Sequence, residues 1–248
     1  MSTLLIIPTY NEAQTLSPLV LRLLDIAKDF RILIVDDASP DGTGEIADRL
    51  AMQSNRVSVL HRHSKEGLGK AYVAAFKYAI EHGFDFVGQM DVDGSHDPED
   101  LLKLLEASSR ADCVIGSRWI QGGRVIGWPT HRKIISLVGN FYVQLVLKLD
   151  VRDSTAGFRI YKANCLKFLD LDQIAASGYG FQVEMTYRLR TLGCTFQEIP
   201  ITFKERELGN SKMTSKIVIE ALLLVTKWAI HESALRFKKR PTGNRSTS

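Results

Sequence analysis

The feature that most constrains this chain is a repeated switch between short apolar runs and stretches with helical spacing. Leu4-Leu5-Ile6-Ile7 is a buried-strand pattern closed by Pro8, and Ile32-Leu33-Ile34-Val35 is a second, ended by Asp36 and Asp37. Val57-Ser58-Val59-Leu60, Phe84 to Met90 and Asp112 to Gly116 read as three more strands. Between them, Leu16 to Ala27, the segment from Thr43 through Leu50, and Gly69 to Ile80 carry apolar residues at helical spacing, with Thr43 expected as a cap. Asp97-Pro98-Glu99 is expected to open a further helix, with Asp97 at the N-cap and Pro98 at the first helical position. Such alternation predicts an α/β fold with right-handed crossovers and a mostly parallel sheet flanked by helices.

In a sheet of that kind, ligands sit beyond the carboxyl ends of the strands. The unusual residues of this chain fall there: Pro8 to Glu12, Asp36-Asp37, Asp91-Val92-Asp93 and Ser117-Arg118. Two carboxylates at i and i+2 on a strand end converge on one hard cation when the strand breaks into a turn, as Gly94 suggests. Mg²⁺ and Mn²⁺ take oxygen ligands and bridge phosphates. Asp36 and Asp37 divide two tasks, one capping the Ser39-Pro40-Asp41-Gly42 turn and one accepting from a base edge, with Asp37 the better ligand candidate.

Gly67-Leu68-Gly69-Lys70 is not a P-loop. Ala71 stands where a hydroxyl residue is required, and Ser64 where a glycine is required. No GxGxxG follows the first strand, which disfavours a dinucleotide enzyme. A glycine-rich turn entering a helix still suits phosphates. Lys204-Glu205-Arg206 and Lys212 flank Gly209-Asn210-Ser211. Two readings stay open for them: a basic loop closing over a pyrophosphate, or a charged surface loop.

The second half is less regular. Gly157 to Tyr161 and Thr195 to Phe203 read as extended, Gly180 to Leu192 and Ser211 to Phe237 as helical. Arg132 to Lys148 forms a long helix pattern with one narrow polar stripe of Lys133, Ser136, Asn140, Gln144 and Lys148. The rest is apolar, and Arg132, Lys133, Lys148 and Arg152 make the ends basic. That pattern fits a helix lying in a membrane interface, while burial in the core or in a dimer contact stays open. The last residues, Arg236 to Ser248, hold five basic side chains and no acid, and read as a disordered tail after a catalytic domain of residues 1–235.

Exclusions follow from composition. The net charge of +4 over 248 residues is mild, and the basic tail lacks interleaved aromatics, so nucleic acid is not expected. Cys113, Cys165 and Cys194 offer neither a disulfide framework nor a CxxC zinc spacing, and read as buried small hydrophobes. Pro8 and Glu12 interrupt the apolar start, so no signal peptide is expected. No run reaches the ~18 uncharged apolar residues that span a bilayer. There is no GxSxG and no activated cysteine.

Taken in order, Pro8-Thr9-Tyr10-Asn11-Glu12, Val35 to Thr43, Gly67 to Tyr72 and Met90 to His96 resemble family 2 glycosyltransferases of the GT-A, Rossmann-like fold. Within that family the chain is similar to the polyprenol-phosphate (dolichyl-phosphate) mannosyltransferases. Gly116-Ser117-Arg118, Gly127-Trp128-Pro129, Asp153 to Tyr161 and Lys204 through Lys212 match as well, and the resemblance covers roughly Thr3 to Lys227. It implies transfer of mannose from GDP-mannose to a polyprenyl phosphate with inversion. It implies that Pro8, Tyr10, Glu12, Val35 and Asp37 hold the nucleoside and that Asp91 and Asp93 hold Mg²⁺ or Mn²⁺ with the diphosphate. Val92 lines that site, and Lys70, Arg206 and Lys212 attend the donor. Arg118, Arg132 and Ser136 receive the lipid phosphate. Two departures from the family pattern are Gly94, where Leu is usual, and Ser95, where some relatives have Gln.

A donor such as UDP-glucose, or a non-catalytic nucleotide-binding membrane module, remains an alternative. A lone amphipathic helix gives marginal membrane residence. The expectation is therefore a peripheral protein on the cytoplasmic face of a membrane, with room for a membrane-anchored protein partner.

Overall fold

The structure, a computed structural model, describes residues 1–174, 179–205 and 224–230. Strands β1 (Thr3–Thr9), β2 (Phe30–Asp36), β3 (Val57–His61), β4 (Phe86–Gln89) and β5 (Cys113–Ser117) alternate with helices α1 (Leu16–Ile26), α2 (Thr43–Gln53), α3 (Leu68–Glu81) and α4 (Asp100–Ala107). Then follow β6 (Arg124–Ile126), α5 (Thr130–Leu147), β7 (Arg159–Lys162), α6 (Ala163–Lys167), α7 (Tyr179–Thr191), β8 (Phe196–Pro200) and β9 (Thr202–Lys204).

Seven strands form one sheet in the order β3-β2-β1-β4-β7-β5-β8, and β6 pairs with β9 alongside it. Only β7 runs against its neighbours β4 and β5. Period-two alternation explains the two cores. Leu4 and Ile6 join a cluster with Phe76 of α3 and Phe181 of α7. Leu5 and Ile7 join a cluster on the opposite face with Leu19 of α1, Ala47 of α2 and Leu104 of α4. Both sides of the sheet are therefore covered, which is why β1 and β2 read as continuous apolar runs rather than alternating ones.

Sheet polarity positions the site. Strands β1, β2, β4 and β5 are mutually parallel, so their carboxyl ends share one edge. Because β7 is antiparallel, the Asp153–Gly157 loop that precedes it enters at that same edge. The order reverses between β1 and β4, the switch point where such sheets bind ligands.

The structure corrects several local expectations. Helix α4 starts at Asp100, not at Pro98. Asp97 instead closes a tight turn, its Oδ1 accepting from the Glu99 N–H (3.2 Å) while pairing with Arg22 (2.9 Å). Gly42, not Thr43, is the cap of α2, and the buried Thr43 hydroxyl accepts from the Glu12 N–H (2.9 Å). Of the cysteines, Cys113 alone is buried. Cys165 and Cys194 are half-buried, both packed against the core cluster that contains Phe76 and Phe181.

The polar stripe of α5 faces inward. The Asn140 amide donates to Thr155 Oγ1 (3.2 Å), and Gln144 donates to the Val151 carbonyl (2.8 Å). Ile134, Ile135, Leu137, Val138, Phe141 and Leu145 are exposed. Val143 and Leu147 pack with Val183 and with Val225 of the helical segment 224–230, so α5 is buried on one side and exposed on the other. Among the described residues, no helix is long and apolar enough to cross a membrane.

Candidate active site

A cleft of about 340 Å³ opens at the carboxyl edge of the sheet. Pro8, Tyr10, Glu12, Asp37, Asp91, Val92, Asp93, Arg118 and Arg132 all line it, so residues up to 124 positions apart in the chain meet in one place. Val35, Lys70 and Ser136 do not line it. Val35 is fully buried as the register partner of Pro8, Lys70 is exposed on α3, and Ser136 gives its carbonyl to Asn140 within α5. Arg206, Lys212 and the tail from Arg236 lie outside the described residues.

At one end, Asp36 and Asp37 take separate roles. The Asp36 carboxylate is spent on the turn, accepting from the Ser39 hydroxyl (2.6 Å) and N–H (3.3 Å). Asp37 faces the cleft, where it accepts from the Gly67 N–H (3.1 Å) and pairs with Arg62. Lys65 lays its ammonium 3.6 Å over the Tyr10 ring. Arg62 and Lys65 were invisible as site residues because they sit in an irregular loop after an edge strand.

The centre is acidic. Gly94 at φ +78° lets the chain reverse directly after Asp93, a conformation that strains most other residues. Asp93 Oδ1 accepts from the Ser95 N–H (3.1 Å). Behind the loop, the buried His96 ring stacks on Phe158 (4.8 Å), and its Nδ1 accepts from the Asp91 N–H (3.2 Å). Burial above all lowers the His96 pKa to about 4, so the imidazole is neutral and available as that acceptor. Burial, and next the negative Asp91, hold the Tyr72 phenol well above its usual pKa.

This centre fits a divalent cation. Its donors are hard carboxylate oxygens, and the buried Ser95 Oγ beside Asp93 has no hydrogen-bond partner among the described residues. No group of three or more acidic, histidine or cysteine side chains forms a cage there among those residues. Few protein ligands with phosphates completing the shell is the usual arrangement for Mg²⁺.

The other end is cationic and aromatic. Arg118 is buried, with Nε and Nη2 bound to Asp153 (2.7 and 2.6 Å) and Nη2 also to Thr155 (2.8 Å). Arg132 stacks 3.9 Å over Trp128 and reaches Glu205 (3.0 Å). The buried Arg132 Nε and Trp128 Nε1 lack acceptors among the described residues, so this wall presents N–H donors suited to an anion. Trp128 belongs to a motif the sequence displays, yet its place between the two arginines emerges only in the fold.

Fold and site define a GT-A-type glycosyltransferase. The pattern described as Glycosyl transferase family 2 matches residues 4–169, and the chain belongs to that family. It is 52% identical over 230 residues to an undecaprenyl-phosphate mannosyltransferase from Micrococcus luteus, covering 93% of this chain and 95% of the relative. It is 45% identical over 230 residues to a polyprenol monophosphomannose synthase from Mycolicibacterium smegmatis, covering 92% and 87%. Among solved structures, it is similar to glucosyl-3-phosphoglycerate synthase from Mycobacterium tuberculosis bound to phosphoglyceric acid. There the TM-score is 0.67 and the identity 14%, over 91% of this chain and 80% of that one. The same synthase bound to Mn²⁺, UDP and glucosyl-3-phosphoglycerate gives a TM-score of 0.61 at 15% identity, covering 98% and 82%.

Proposed function

We propose that this chain transfers mannose from GDP-mannose to a polyprenyl phosphate at a membrane surface. The observation that carries this is one cleft with an acidic centre, a donor-rich arginine wall, and beside that wall a helix with its apolar side turned outward. The names of the two close relatives support the same acceptor and sugar.

The nucleoside end is Pro8, Tyr10, Glu12 and Asp37. Asp91 and Asp93, with Ser95 alongside, hold Mg²⁺ or Mn²⁺, which when bound supplies Lewis acidity to the departing diphosphate. The acceptor phosphate has a second pKa of ~6 and is largely dianionic near neutral pH, so no strong general base is required. Arg132, Trp128 and the Asp153-held Arg118 orient it. One phosphate oxygen forms a bond to the anomeric carbon as the bond from that carbon to the diphosphate breaks, on opposite faces, which inverts the configuration. The exposed side of α5 rests in the headgroup region of a cytoplasmic membrane face and brings the lipid phosphate to the cleft.

The test is a panel of radiolabelled nucleotide-sugars offered to purified protein with polyprenyl phosphate and Mg²⁺ or Mn²⁺. Label from GDP-mannose is expected in an acid-labile lipid. Label from UDP-glucose alone would overturn the donor assignment, and label in a soluble acceptor alone would overturn the lipid.

A further inference from the structure

Gln182 on α7 lines the cleft and is buried, with an exposure of 3%. Its neighbours on that wall are Asp91 and Gly157. A Cβ at Gly157 would lie 3.6 Å from Asp91 Oδ2 and 3.8 Å from Gln182 Nε2, so both groups border the space that the glycine leaves open. The Gln182 Oε1 is buried and has no hydrogen-bond partner among the described residues. Buried amide oxygens are almost always paired, so an unpaired one in a side chain that lines a cleft marks a carboxamide with hydrogen-bonding capacity left for a ligand.

The position is held rigidly. Arg159, fully buried, donates from Nη1 to the Gln182 carbonyl (3.2 Å), which also accepts from Thr186 Oγ1 (2.9 Å). The same guanidinium donates to the Ala156 carbonyl (2.7 Å) and the Ser154 carbonyl (2.7 Å). One cation thus fixes both the Gly157 wall and the Gln182 wall, the preorganisation a selective contact requires.

The chemistry of the side chain narrows the ligand. Phosphates are met in this cleft by arginines and by the carboxylate-held cation position. A neutral carboxamide offers one acceptor and one NH₂ donor, a match for adjacent sugar hydroxyls. It borders the same open space at Gly157 as Asp91 and lines one cleft with Tyr10, Asp37, Arg118 and Arg132, so a nucleotide-sugar held at Asp91 brings its hexose within reach of this wall. Resting on the transferase reading above, the geometry points to Gln182 as the residue that reads the hexose. Its carboxamide hydrogen-bonds hydroxyls of the transferred sugar and sets which epimer is accepted.

The experiment compares wild type with Q182M, which keeps the shape and removes both polar groups, and with Q182E. Each protein is given nucleotide-hexoses that share one nucleotide and differ only in the sugar, with polyprenyl phosphate as acceptor. The affinity for the free nucleoside diphosphate is measured separately. Q182M is expected to lose about tenfold or more in kcat/KM for the preferred hexose and less for its epimers, compressing the preference ratio. Diphosphate affinity is expected to stay within about twofold of wild type. An unchanged ratio, or a fall in diphosphate affinity equal to the fall in kcat/KM, overturns the inference. Should Q182M not fold, an unchanged ratio in Q182E does the same. A wild type inactive with every donor overturns the transferase reading and this inference together, whereas an active wild type with unshifted variants overturns this inference alone.

Discussion

Asp153 grips Arg118 at three points: Oδ2 accepts from the Arg118 backbone N–H (2.9 Å) and from Nε (2.7 Å), and Oδ1 accepts from Nη2 (2.6 Å). Both side chains are buried, and Ser154 donates to Asn140 of α5 (3.0 Å) next to the pair. The arginine wall of the cleft and the inward stripe of the outer helix are therefore one hydrogen-bonded unit. Arg118 is held in place by Asp153, while Arg132 is paired with Glu205 and stacked on Trp128.

Removing one partner of a buried pair leaves the other charge uncompensated. Asp153→Ala is expected to lower the unfolding free energy by about 3–5 kcal/mol in urea titrations, far more than an average substitution. A loss under about 1 kcal/mol would show that the pair is not buried in solution.

The same carboxylate gives a pH dependence of defined sign. Burial pushes the Asp153 pKa up, but the Arg118 charge and its hydrogen bonds outweigh this and hold it below the usual carboxylate range. A depressed folded pKa contributes stability that is complete above the unfolded value and is lost as pH falls through the folded one. The stability gap between wild type and Asp153→Asn should therefore be flat from pH 7 to about pH 5 and shrink below about pH 4. A gap that widens on acidification would contradict the assignment.

Asp93→Ala is expected to reduce lipid mannosylation by about a hundredfold or more, in line with losing a main electrostatic contact to the leaving group. EDTA should do the same to wild type, with activity restored by Mg²⁺ or Mn²⁺. Calorimetry should show weakened cation binding in the presence of nucleotide, while melting behaviour stays near wild type. Full activity in the variant would remove the metal role of this residue.

Arg132→Ala should raise the KM for polyprenyl phosphate about tenfold and leave the affinity for GDP within about twofold. Equal losses for donor and acceptor would place Arg132 at the diphosphate instead.

Phe141 and Leu145 are about two-thirds exposed on the outer side of α5, at 65% and 66%. Replacing both by Ser should lower sedimentation with phospholipid vesicles about tenfold or more, since burying one large apolar side chain is worth about 1.5–3 kcal/mol. Stability should change little. Unchanged vesicle binding together with a shift in oligomeric state would assign this side of the helix to a protein contact.

The sequence by itself determined the alternation of strands and helices, the acidic and cationic sets at the strand ends, and the length and amphipathic pattern of α5. These are local properties: apolar period, turn residues and charge are written within a few residues of each other. It also divided Asp36 and Asp37 between the turn and the ligand side, with Asp37 the ligand candidate, and the structure places them so. Only the tertiary structure decided the rest, because each of those features depends on groups distant in the chain. The antiparallel insertion of β7 between β4 and β5 delivers Asp153 and Gly157 to the site edge. The direction of the α5 polar stripe was open until Asn140 and Gln144 found partners in the 151–155 loop, since a helix pattern does not say which side meets the protein. Gln182 lies in a helical segment with nothing in its neighbours to mark it. Its role emerges from the fold, which brings its carboxamide nitrogen near Gly157 and leaves its buried oxygen without a partner among the described residues.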